Sequence, residues 1–140
     1  MTADPTPAEL TPAETEQIRR LLALFAHVFD NGDTDALDQV FAEHGSIELA
    51  RTGARFEGLE AIRTFNRRLG EHSPDHHTLD TVLTPEPDGT VRGRSRYLAI
   101  LPDGSVHNGD YLDTIVRTPA GWRIAARRSV PRYPLAAAGQ

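Results

Sequence analysis

Cysteine and lysine are both missing from the 140 residues. Without cysteine there is no disulfide and no thiolate to serve as nucleophile or metal ligand. Without lysine there is no Schiff-base chemistry. All 15 basic residues are therefore arginine, a usage that a GC-rich coding bias accounts for. No apolar run approaches the roughly 18 residues that span a bilayer, so no membrane association is expected. The N-terminus lacks a basic stretch followed by an apolar one and does not read as a signal peptide; a cytoplasmic location is expected. A net charge of −5 leaves no excess of positive charge for a phosphate backbone, which argues against nucleic acid as the main partner. No glycine-rich phosphate loop is present, so nucleotide binding is not expected. The 6 histidines include no H-x-x-x-H pair on a predicted helix and no three on one strand face, so no metal site is expected.

What remains is ordinary for one globular domain, with 39% hydrophobic and 25% charged residues. Residues 1–10 are rich in Pro, Thr and Ala and predict a loose tail, with 133–140 similar and a single domain over 11–132 between them. Thr11, Pro12 and Glu14 predict a capped helix start. The helix that follows places Ile18, Leu21, Leu22, Phe25, Val28 and Phe29 on one face and ends at "DNGD". Asp33 is expected to cap a short second helix with Leu37, Val40 and Phe41 inward. "SIELARTGARFEG" predicts a small hairpin turning near Thr52-Gly53. A third helix is predicted over 59–69, burying Leu59, Ile62, Phe65 and Leu69 and stopping at Gly70.

Four strand-like runs follow, at 76–84, 90–101, 106–117 and 121–130. They are joined by "PEPDG", "PDGS" and "TPAG", all favourable hairpin turns. Helices first and an antiparallel meander after predict an α+β domain with helices across one face of a twisted sheet. Such a sheet closes partway into a cone whose interior is a natural pocket.

The stretches "FAHVFDNGDTDALDQVFAEHGSIEL", "FEGLEAIRTF", "HHTLD" and "DGSVHNGDYLDTIVRTPAGWRIAARR", in that order and spacing, resemble the SnoaL-like branch of the NTF2-like superfamily. That group includes scytalone dehydratase, bile-acid dehydratases and the small subunit of aromatic-ring dioxygenases. The resemblance covers about residues 14–132. It implies an NTF2-like cone, with three N-terminal helices on a curved, mainly antiparallel sheet and a homodimer as the usual assembly. It also implies either cofactor-free acid–base chemistry (dehydration, isomerisation or cyclisation) on a hydrophobic small molecule, or a non-catalytic binding or assembly module.

The adjacent histidines 76 and 77 point to opposite faces of a strand. His77 shares its side with Leu79, Thr81 and Leu83, the more apolar set, so His77 is expected to face the pocket and His76 to face away. A histidine there suits proton transfer or serves as a buried structural group. The resemblance implies the former, placing His77 at the acid/base histidine of the dehydratases and Asp30 at their partner aspartate, which would raise the imidazole's basicity and fix its tautomer. Asp30 would otherwise point to water from the helix C-terminus. Asp80 is expected to pair with an arginine on the neighbouring strand. The dehydratases' helix-one tyrosine is absent, since Phe25 and Phe29 stand at both candidate positions and suit a greasy substrate. Tyr97, Tyr111 and Asp113 are the remaining polar candidates for substrate contact, with His107 at the cone's edge. Arg132 is a candidate for an anionic substrate at the pocket mouth. Trp122, Ile124 and Ala126 alternate as core, which puts Arg123 and Arg127 on the opposite face, available for ion pairs across a subunit interface.

Overall fold

A computed structural model describes residues 9–135, so the predicted tail segments 1–8 and 136–140 lie outside the described residues. The first helix, α1, spans Pro12–Asp30. Its start follows the predicted chemistry: the Thr11 hydroxyl accepts from the Glu14 amide, and the Glu14 carboxylate accepts from the Thr11 amide. The six predicted apolar residues are all buried. Gly32 takes the left-handed conformation at its end, with φ 67°. The predicted second helix is a single 3-10 stretch, Thr34–Gln39. Asp33 precedes it without a side-chain capping bond, and Phe41 belongs instead to the first strand, β1 (Phe41–Leu49). The hairpin closes with β2 (Ala54–Glu57), and α2 (Leu59–Leu69) ends at Gly70 as expected.

The meander is β3 (Asp75–Pro85), β4 (Val91–Ile100), β5 (Val106–Thr118) and β6 (Gly121–Tyr133). The sheet order is β2-β1-β6-β5-β4-β3, antiparallel throughout except for the parallel β1–β6 pair. This is the predicted α+β architecture. The helices cover one face, where Ile18, Leu22, Leu37, Ile62, Val91, Ile115 and Ile124 form the driest part of the core. Each such side chain contributes on the order of 1.5–3 kcal/mol by leaving water. Asn66 of α2 ties the roof together, donating to the Phe29 carbonyl at 2.8 Å and accepting from the Thr34 hydroxyl at 2.8 Å.

Two β-bulges decide which side chains enter the cone. Between the pairs Leu79↔Arg96 and Val82↔Arg94, two residues of β3 oppose the single Ser95 of β4. The extra residue is Asp80, the only described non-glycine with positive φ, at 55°. A second bulge lies in β6, where Thr114↔Ala126 is followed by Ile115↔Ile124 and Ala125 is left unpaired. A bulge inverts the inward–outward alternation beyond it. On β3, His76, Thr78, Thr81 and Leu83 are therefore the more buried set, and His77, Leu79 and Val82 are exposed. On β6, Trp122, Ile124 and Arg127 are all buried.

Asp80 makes none of the ion pairs seen, so its expected arginine partner is not found. Aspartate tolerates the left-handed region far better than a β-branched residue does. Asp80→Val is expected to lower stability by about 1–2 kcal/mol and Asp80→Gly to leave it unchanged or slightly raised, both read from urea unfolding midpoints.

Candidate active site

The cone encloses a cavity of about 240 Å³. The helices contribute Phe25, Phe29, Phe65 and Leu69 to its wall, and β1 contributes Ile47 and Leu49. Its polar lining is His76, His107, Tyr111, Arg127 and Ser129. A larger groove of about 470 Å³ runs outside, between α1 and the free edge of β3.

The histidine assignment is corrected by the structure. His76, not His77, faces the cavity and meets Asp30. Its Nδ1 lies 2.6 Å from Asp30 Oδ1, and its backbone N–H donates to Asp30 Oδ2 at 2.6 Å. The two side chains are only 15% and 7% exposed. His77 is exposed on the outer side of the strand, bordering the outer groove. The reason is the bulge. Thr81 and Leu83 do face inward, but they lie past Asp80, so their side of the strand is that of His76 rather than His77. Two bonds from one residue fix both the position of the strand and the tilt of the ring. A carboxylate only accepts, so Nδ1 carries a proton, and in the neutral ring Nε2 keeps its lone pair. The rings of Phe25, Phe29 and Tyr97 pack around the imidazole at centroid distances of 6.0, 6.3 and 6.4 Å.

Arg127 is the second correction. It is not on the outer face but buried, and its guanidinium meets Asp113 in a two-pronged pair: Nε to Oδ1 at 2.8 Å and Nη2 to Oδ2 at 2.9 Å. The pair's side chains are 1% and 0% exposed. The Phe25 and Tyr111 rings pack against the guanidinium, their centroids 4.4 Å and 3.9 Å from its central carbon and 6.0 Å from each other. Burial alone would disfavour the charge, but Asp113 outweighs it and holds the group above its ordinary range. Nη1 has no hydrogen-bond partner, a deficit of about 1–3 kcal/mol in a buried donor. Sequence alternation missed Arg127 because Ala125 shifts the phase of β6.

Tyr111 and Asp113 share the inner face as expected. Tyr111 lines the cavity, and Asp113 lies behind Arg127. Tyr97 is buried but stands behind the wall, stacked on Tyr111 at 4.6 Å and edge-on to His107 at 5.9 Å. Burial pushes both phenols up, that of Tyr111 well above the ordinary range, so each is a proton-bearing donor at neutral pH. His107 is held below the usual imidazole range by burial first, then by His76 and Arg51. Gly109 makes room for Tyr97: a Cβ there would lie 2.5 Å from the phenol ring and 2.4 Å from the Val130 carbonyl. Arg132 is the unpaired residue of a third register shift, between Asn108↔Tyr133 and Gly109↔Pro131; it is exposed and does not reach the cavity. Among the described residues no group of three metal-ligating side chains occurs, and no helix is long and apolar enough to cross a membrane.

Residues 12–128 match the sequence profile of the SnoaL-like domain. No curated protein matches the sequence significantly. Among solved structures, an NTF2-like protein with a cystatin-like fold from Novosphingobium aromaticivorans is 26% identical, with TM-score 0.74 over 89% of this chain and 85% of that one. A protein provisionally named scytalone dehydratase from the same organism is 20% identical, with TM-score 0.76 over 91% and 95%. ActVI-ORFA from Streptomyces coelicolor is 14% identical, with TM-score 0.74 over 86% and 98%. These last two show likeness of fold alone.

Two stability predictions follow from the buried groups. Arg127→Ala should cost about 3–5 kcal/mol because it strands the Asp113 carboxylate, whereas the double change Arg127→Met with Asp113→Leu should recover most of that loss; urea unfolding of the two variants measures the difference. The raised phenols set the alkaline limit. Below about pH 10 folded and unfolded chains both keep these protons. Above it the unfolded chain ionises first, so stability is lost as pH rises. The urea midpoint should fall beyond pH 10, and the fall should shrink in Tyr111→Phe.

Proposed function

The chain belongs to the SnoaL-like domain family, and from that premise we propose a cofactor-independent acid–base enzyme acting on a hydrophobic, carbonyl-containing small molecule. His76 carries the proton, and Asp30 positions it and balances its charge. The observation that carries this reading is the 2.6 Å contact between Asp30 Oδ1 and His76 Nδ1 on the wall of a mostly apolar cavity. In the neutral ring it leaves Nε2 as the basic nitrogen of a mostly buried imidazole that borders both the cavity and the outer groove.

The chemistry is removal of a proton from the carbon next to a carbonyl. The C–H pair moves into the C–C bond, the carbonyl pair moves onto oxygen, and Nε2 takes the proton. Return of the proton elsewhere is isomerisation. Loss of a β-hydroxyl, protonated by the imidazolium, is dehydration. Attack of the enolate carbon on a second carbonyl is cyclisation. The provisional name of one structural neighbour, scytalone dehydratase, supports this reaction class, and a polyketide or other secondary metabolite fits the lining. The exposed Leu79, Val82 and Leu112 on the outer face of the sheet support self-association as a homodimer. A non-catalytic binding module is the second reading; the missing hydroxyl at Phe25 and Phe29 favours it.

Exchange of the α-protons of 2-tetralone into D2O, followed by NMR, separates the two readings. His76→Ala and Asp30→Asn are each expected to slow exchange by about 10²–10⁴-fold. His77→Ala should leave it within about twofold, since its side chain lies outside the cavity. Equal rates for the native protein and His76→Ala would leave a binding module.

A further inference from the structure

His107 lines the same cavity as His76, and the strand register sets the two side by side. His76 pairs with Ala99 of β4, and Ala99 pairs with His107 of β5. The three residues form one row across three strands, with no register shift inside it. His107 also shares the inner face of β5 with the buried Tyr111, four residues on. Strands lie about 4.7–4.9 Å apart, so the backbones of the two histidines are about 10 Å apart. Between their rings Ala99 places only a buried methyl group. The Tyr97 ring stands beside both, its centroid 6.4 Å from that of His76 and 5.9 Å from that of His107. On the acid–base reading above, on which this inference rests, we propose that His107 is a second catalytic residue. Its N–H holds the carbonyl oxygen while His76 takes the proton from the adjacent carbon.

The division of roles follows from the surroundings of each ring. Asp30 meets His76 Nδ1 at 2.6 Å and balances the charge that a captured proton brings. Among the described residues His76 is the only histidine in an ion pair. The groups near His107 are the His76 imidazole from β3, the Tyr97 phenol from β4 and the Arg51 guanidinium from the turn between β1 and β2. Burial first, then His76 and Arg51, hold His107 below the usual imidazole range, so it is neutral at pH 7. A neutral imidazole still has one N–H to give. Its hydrogen bond to a carbonyl strengthens as electrons collect on the oxygen. The Arg51 charge, which opposes an imidazolium, favours that negative oxygen. The ring nitrogens of His107 make no hydrogen bond among the described residues, yet they are not among the buried unpartnered atoms. They therefore keep surface that a ligand can reach. In the step itself the C–H pair moves into the C–C bond and the carbonyl pair moves onto oxygen. The proton goes to His76 Nε2, and the His107 proton stays on its own nitrogen.

The test measures exchange of the α-protons of 2-tetralone into D2O over a range of ketone concentrations. His107→Leu keeps most of the volume and removes the donor. Its maximal rate should fall by about 10²–10³-fold. Its half-saturating concentration should rise by no more than about tenfold, the worth of a neutral hydrogen bond. His107→Gln restores an N–H and should recover at least about tenfold of the lost rate. A packing role alone would leave His107→Leu near the native rate and give glutamine no advantage. A second measurement reads the donor without turnover, using 2-tetralone labelled with ¹³C at the carbonyl and bound to His76→Ala. Its carbonyl resonance should lie downfield of that in the double variant His76→Ala with His107→Leu. Exchange by His107→Leu as fast as that of an active native protein, one carbonyl resonance in both backgrounds, or no binding of the ketone each overturns the proposal. A downfield shift that depends on His107, in a native protein without exchange activity, upholds the donor and removes only the acid–base reading.

Discussion

One carboxylate joins the two halves of the molecule. Asp30 is the last residue of α1, and His76 lies near the start of β3, the terminal strand of the sheet. A terminal strand has backbone N–H groups with no neighbouring strand to receive them. Asp30 takes one of these, that of His76, and with its other oxygen takes the ring of the same residue. A negative charge at a helix C-terminus is disfavoured by roughly 0.3–1 kcal/mol, and two charge-assisted hydrogen bonds exceed that. The helix roof is thereby fastened to the free edge of the sheet at the point where the imidazole enters the cavity. Loss of the carboxylate would free both the strand edge and the ring, so the geometry of the site and the closure of the cone rest on the same contact.

The opposite wall follows a different logic. An arginine and an aspartate have been taken almost wholly out of water, which costs several kcal/mol per ion before their attraction is counted. Two hydrogen bonds and two ring contacts offset much of this, each ring contact being worth on the order of 0.5–2 kcal/mol. Well-packed apolar residues would fill the same volume at less cost. The arrangement spends stability on a buried cation beside the cavity and leaves its Nη1 without a partner. The Phe25 ring packs against both the imidazole of His76 and the guanidinium of Arg127. Phe25 lacks a hydroxyl, yet it touches both groups and sets their spacing.

The helices, the turns and the four long strands are legible in the sequence because each is signalled locally, by a capping box, a heptad-like apolar stripe or a Gly-containing turn. The face that each residue presents is legible only as far as the alternation runs unbroken. Leu79, Thr81 and Leu83 look like one apolar side of β3, and that inference carried His77 inward; the extra residue Asp80 divides the three between two faces. Trp122, Ile124 and Ala126 suggest a single side of β6 in the same way, and Ala125 moves Arg127 into the core. A bulge adds a residue without changing composition, and neither Asp80 nor Ala125 has a side chain that announces one. The adjacency of two histidines made the error possible, since one of the pair had to face the cavity whichever phase was chosen. Tyr111 and Asp113 were placed correctly because the extra residue of the nearby bulge, Ala125, lies on β6, so alternation along β5 runs unbroken from Tyr111 through Asp113 to Ile115, whose burial fixes the face.

The two bulges also explain how a polar site is reconciled with a packed sheet. A strand in strict alternation gives its whole inner face to one environment. Beneath α1 and α2 that environment is apolar, and an inward arginine within the run Trp122–Ile124 would displace core. Inserting Ala125 lets β6 pack Trp122 and Ile124 at one end and then present Arg127 and Ser129 to the cavity at the other. Asp80 does the same for β3, where Thr81 can meet Ser95 at 2.9 Å and Leu83 can reach the core while His76 keeps its ring on the cavity side. Each strand thus changes purpose once along its length, at a residue small or polar enough to be left out of the pairing. The half of each strand that borders the cavity is the one a uniform reading of its pattern misplaces.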